Sequence, residues 1–151
     1  MKKLIALILL LLMMNCHSQQ KNKLLANNPK VKTGIEYFLG NWKFVEKNYN
    51  DGAEKKIYTL HECMKLYTWK FERINDEIYL TKNYFTGKDC SMKSSSGKIL
   101  VKIDENSISY TDVDLFRNEK YKIISHNKFV IIYSDILNGK VREIEDVYER
   151  Q

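Results

Sequence analysis

The chain has 151 residues, 25 of them Lys or Arg against 19 Asp or Glu, and only one proline. That length suits a single domain. The formal charge of +6 is scattered along the sequence and forms no run, which argues against a nucleic-acid-binding stripe.

The first element is a leader. Met1-Lys2-Lys3 is basic, and Leu4 to Met14 is unbroken apolar sequence, long enough for the hydrophobic region of a secretory signal but short of a membrane span. Leu12-Met13-Met14-Asn15 then precedes Cys16 in the manner of a relaxed bacterial lipobox. Residues 1–15 are therefore expected to be a lipoprotein signal peptide, with Cys16 becoming the acylated N-terminus. More than one acyl chain, at about 0.8 kcal/mol per buried CH₂, makes such an anchor effectively permanent. Asn15 before the cysteine leaves conventional cleavage as the competing outcome. Without Lys2 and Lys3 the mature chain is only about +4.

Residues 16–32, rich in Gln, Asn and Lys, bury too little apolar surface to offset their ordering entropy and read as a flexible tether. The tether holds Pro29 and no acidic run. Acidic runs mark surface-exported lipoproteins, so the expected location is the cell envelope, facing the periplasm. The domain proper is placed at 33–151. It opens with Ile35, Phe38 and Leu39 at helical spacing behind Thr33, which suits one short helix.

Beyond Gly40 the hydrophobic period becomes two. Nine strand-like runs follow, at 42–47, 56–60, 66–72, 77–84, 98–103, 107–111, 120–125, 128–134 and 141–148. Turn chemistry separates them, notably at Asn50-Asp51-Gly52, Asn75-Asp76 and Asn138-Gly139. Tyr67, Trp69 and Phe71 share one strand face, as do Ile99, Val101 and Ile103. The runs at 129–133 and 141–147 have no clear inward face. Short antiparallel strands joined by hairpins predict an all-β fold, a small up-and-down barrel that closes on itself and hides its edges.

With Cys16 acylated, Cys63 and Cys90 remain as an even pair in an oxidising compartment and are expected to be bonded, the alternative being two buried thiols. Closing a loop of roughly 28 residues stabilises by about 3.5 kcal/mol on the chain-entropy model.

Gly40-Asn41-Trp42-Lys43 at the start of the first strand resembles the lipocalin Gly-x-Trp signature. Cys63, the aromatic run Tyr67-Thr68-Trp69-Lys70-Phe71, Cys90 and Ser96-Gly97 are together similar to bacterial lipocalin-like lipoprotein domains, and the resemblance spans nearly all of 40–151. It implies that Gly40 and Trp42 form the closed end of a barrel and that Arg150 lies over the indole. A solvated terminal arginine is the competing reading. The resemblance further implies a small hydrophobic or amphipathic ligand, with Trp42, Phe44, Tyr67, Trp69, Phe71 and Tyr79 as candidate lining. Plain core packing is the alternative for all six.

No catalytic motif is present. His17, His61 and His126 lack metal-ligand spacing, and Asp112 and Asp114 lack the glycine and glutamate of a calcium loop. The Ser94-Ser95-Ser96-Gly97 run is not a nucleophile elbow. No enzyme activity, cofactor, metal or nucleic acid is expected. The expected partners are the membrane, through the N-terminal lipid, and a small ligand, with the protein a monomer. The alternative is a protein-interaction module, such as an envelope enzyme inhibitor or immunity protein.

Overall fold

The computed structural model describes residues 34–151 apart from residue 53. The signal peptide, Cys16, the tether with Pro29 and His17, and the Thr33 cap lie outside the described residues. Among the described residues no helix is long and apolar enough to cross a membrane.

A single helical turn, α1 (Ile35–Phe38), precedes ten strands: β1 (Gly40–Asp51), β2 (Glu54–Tyr58), β3 (Thr68–Ile74), β4 (Glu77–Thr86), β5 (Met92–Ser95), β6 (Ile99–Ile103), β7 (Ser107–Asp112), β8 (Leu115–Ser125), β9 (Lys128–Leu137) and β10 (Lys140–Arg150). A 3₁₀ turn, Glu62–Leu66, lies between β2 and β3. All pairings are antiparallel between neighbours, and β10 returns to β1 over Trp42↔Arg150 to Tyr49↔Ile144, closing the ring. β2 and β3 pair successive stretches of β1, and β5 and β6 successive stretches of β4. Each couple makes one interrupted stave. The result is an eight-stranded closed barrel with an up-and-down plan.

The alternation read from sequence sets the interior. Trp69 and Phe71 from β3, Ile78 and Leu80 from β4, Ile99 and Val101 from β6, and Ile108 and Tyr110 from β7 all enter one core. The two ambiguous runs resolve by register. Phe129, Ile131 and Tyr133 turn inward with Asp146 and Tyr148, leaving Val130, Ile132, Glu145 and Val147 on the outer face.

Three local features depart from the expected elements. Leu66 ends the 3₁₀ turn instead of opening a strand, and β8 begins five residues earlier than its apolar pattern, at Leu115. β5 is the tenth strand, all four of its residues exposed, so no alternation marked it.

The ladder is incomplete at one end. β8 and β9 pair only from Lys120↔Ile132 to Ser125↔Lys128. Leu115–Glu119 is hydrogen-bonded to β7 alone and Tyr133–Leu137 to β10 alone, so a seam opens there.

Candidate functional site

One end of the barrel is sealed by aromatic rings. Phe38 packs edge-on against Tyr37, Tyr121 and Phe129 at centroid distances of 5.1, 4.8 and 5.2 Å. Phe129 sits 4.7 Å from Trp42 and stacks on Tyr148 at 5.2 Å. The indole N–H of Trp42 donates to the Phe38 carbonyl at 2.6 Å, so no donor is stranded.

Arg150 lies over this seal, its guanidinium carbon 4.2 Å from the Trp42 ring. It also donates to the carbonyls of Leu39, at 2.8 Å, and Tyr37. Gly40 makes room for it. Its φ is +116°, and a Cβ there would stand 3.1 Å from Arg150 Nη1. The glycine and the arginine therefore depend on each other.

The opposite end holds a cup of about 290 Å³, lined by residues of seven strands and the 3₁₀ turn. Phe44, Tyr67 and Trp69 line it together with Tyr110, Tyr148 and Met64. Three cations and four carboxylates also reach it: Lys47, Lys82 and Arg117 against Asp112, Glu119, Asp135 and Asp146. Lys82 is the deepest of the charges. Only 6% exposed, it donates to Tyr110 at 2.9 Å and Asp112 at 2.8 Å, its ammonium 4.2 Å from the Tyr110 ring centre and 5.3 Å from that of Trp69. Lys47 donates to the Tyr133 hydroxyl at 2.7 Å and pairs with Asp146 at 2.7 Å. Tyr110 in turn donates to Glu119 at 2.8 Å.

Burial raises the carboxyls of both Glu119 and Asp146, against the pull of neighbouring donors and cations. It also lifts the Tyr84 phenol to about 12. Burial likewise raises the phenols of Tyr110, Tyr133 and Tyr148, so these hydroxyls act as neutral donors and acceptors.

The lip of the cup is stapled on one side. Cys63 of the 3₁₀ turn and Cys90 of the β4–β5 connection form a disulfide with an S–S distance of 1.99 Å. His61 Nδ1 accepts the Cys63 N–H at 3.3 Å, capping the turn. The His61, Cys63 and Cys90 donor atoms lie within 4.8 Å of one another, but the sulfurs are bonded to each other and offer no thiolate.

The candidate lining thus divides. Phe44, Tyr67 and Trp69 meet in the cup. Trp42 and Phe71 do not: both are sealed into the aromatic packing below it. Tyr79 is corrected outright, since it faces outside, its hydroxyl donating to Glu77 at 2.7 Å among exposed groups. It sits between the inward Ile78 and Leu80, so the period of two already placed it outward.

The polar half of the cup was missed. Lys47 faces inward because a β-bulge between Phe44 and Glu46 advances β1 by one residue, where strict alternation pointed Glu46 inward. Lys82, Tyr110 and Glu119 do fall on inward positions of their strands. A lysine or glutamate at such a position reads as an outward residue until its partner on another strand is known.

A larger groove, about 1270 Å³, runs along the outer side of β6 and β7 past Leu100, Val113 and Phe116.

No protein-family model matches the chain, and no curated protein does. Among solved structures it is similar to the siderocalin Ex-FABP, described as functioning through dual ligand specificities. The two share 12% identity over 76% of this chain and 74% of that one, with a TM-score of 0.44. The barrel is defined by this chain's own closed ladder.

Proposed function

We propose that the protein is an envelope-tethered binding module whose cup takes one small amphipathic ligand. The carrying observation is the cup itself: open at one end, sealed by rings at the other, and lined by aromatic faces beside charged groups, among them the Lys82–Asp112 and Lys47–Asp146 pairs. A volume near 290 Å³ is at the low end for ligand pockets, so the ligand is compact. Seven charged side chains line the space beside its aromatic faces, which favours a ligand with polar groups on an apolar body. The anchor is supported by the apolar leader ending at Cys16, and the same pattern supports a periplasmic position.

Native mass spectrometry after gentle purification tests the cup. Co-purified small molecule at one equivalent is expected, and bare protein that also fails to bind the neutral dye Nile red would remove the reading. Cys16→Ser should release the protein from the membrane fraction and abolish incorporation of labelled fatty acid.

One observation favours a protein-interaction role as a second reading. The outer groove exposes Leu100 at 52%, Phe116 at 66% and Val113 at 89%, more apolar surface in one place than scattered side chains give. A pull-down from envelope extract, repeated with Phe116→Ser, tests it.

A further inference from the structure

We propose that the open seam between β8 and β9 is a subsite for a dipolar ligand head, an ammonium and an acid group on one small molecule, with Arg117 taking the acid and Asp135 the ammonium. This rests on the cup reading above and adds the chemical class of its ligand.

Charge pairing inside the cup leads to it. Lys82 is matched by Asp112 and Lys47 by Asp146, while Glu119 accepts from Tyr110. Among the described residues, Arg117 and Asp135 are the two cup-lining charges with no ion-pair or side-chain hydrogen-bond partner, and they have opposite signs. Asp135 Oδ1 accepts its neighbour's backbone N–H, from Ile136 at 2.7 Å, which orients the carboxylate and leaves Oδ2 free.

Register then places them. Continuing the β8–β9 ladder three residues past Lys120↔Ile132 sets Arg117 opposite Asp135. Had the strands stayed zipped, their Cβ atoms would lie about 5 Å apart and the two would form a cross-strand ion pair. The ladder stops first, and no ion pair joins them. Two opposite charges held apart across an opening, above aromatic faces, match a molecule that carries both charges and an apolar body. A guanidinium binds an acid group with two parallel N–H bonds, and a carboxylate accepts from an ammonium. Both side chains are exposed, so a ligand with one charge satisfies only one side and leaves the other to water, whereas a dipolar head engages both.

Such a head occurs on free amino acids and short peptides, and also on zwitterionic phospholipids. Calorimetric titration of the folded protein would use L-phenylalanine, its N-acetyl and methyl-ester forms, dihexanoyl-phosphatidylethanolamine, and Nile red as the uncharged control. At least one zwitterion should bind, and which one identifies the source. For an amino acid, capping either charge should weaken binding tenfold or more. Asp135→Asn should erase the preference for a free ammonium only, and Arg117→Gln the preference for a free acid only, with melting curves unchanged. Nile red binding without either zwitterion would overturn the dipolar subsite and leave the cup standing. So would capped forms that bind as well as the free one, or variants that weaken every ligand equally. Failure of every compound, Nile red included, would overturn both.

Discussion

Arg150 serves at once as hydrogen-bond donor to two carbonyls and as a cation over an indole face, next to the chain end. Arg150→Met should cost about 2–4 kcal/mol in urea unfolding, because buried carbonyls lose charge-assisted donors. Arg150→Lys should recover less than half of that, since one ammonium cannot reproduce the planar fork. Gly40→Ala should cost about 1–2 kcal/mol, from the positive φ and the collision with Arg150. Combined with Arg150→Ala, that cost should fall below the sum of the singles, because the two residues share one contact. Inside the cup the sign concerns protons. The raised Glu119 carboxyl contributes stability that is fully present below the ordinary carboxylate range and lost as pH rises through its folded value. Glu119→Gln should therefore flatten the fall in melting temperature between mildly acid and neutral pH. At this scale the seal was readable from Gly40 and Trp42 only through the resemblance they carry, and the sequence left Arg150 open between a cover for the indole and a solvated terminal arginine. The cup's charges were not, because a polar residue at an inward position shows its role only through a partner on a distant strand.

The β7–β8 turn places Val113, a β-branched residue, at φ +56°, where such side chains are strained. It is the first central residue of a two-residue hairpin, bounded by the Asp112↔Leu115 pair, and glycine prefers that position. Val113→Gly should raise stability by about 1 kcal/mol and the melting temperature by a few degrees. The disulfide belongs to the same scale. Cys63→Ala with Cys90→Ala should cost about 3.5 kcal/mol and free the 3₁₀ turn that sets Met64 on the cup wall. Calorimetry checks the first effect and loss of Nile red binding the second. Eight of the nine sequence runs open within two residues of a strand, since alternation and turn residues agree there. β5 and the first turn of β8 were silent because exposed strands carry no alternation, and the bulge in β1 was invisible because one extra residue has no sequence mark of its own.

The barrel as a whole exists only once β10 reaches β1, joining Trp42 to Arg150 across almost the full domain. That pairing is non-local, so folding should be slow for the size, and deletion of residues 147–151 should leave no cooperative transition by circular dichroism. Strand order was readable because hairpins join neighbours. Where the ring would fail to zip was not, since ladder hydrogen bonds are made by backbone atoms common to every residue. The stapled lip lies by the β2 and β4 staves and the unzipped pair at β8 and β9, half the circumference away in the strand order. The rim is thus stiff on one flank and loose on the other, like a bivalve with a fixed hinge. The seam-facing amide protons of 115–119 and 133–137 should exchange with solvent far faster than those around Cys63, and loading the cup should slow the first group while leaving the second untouched.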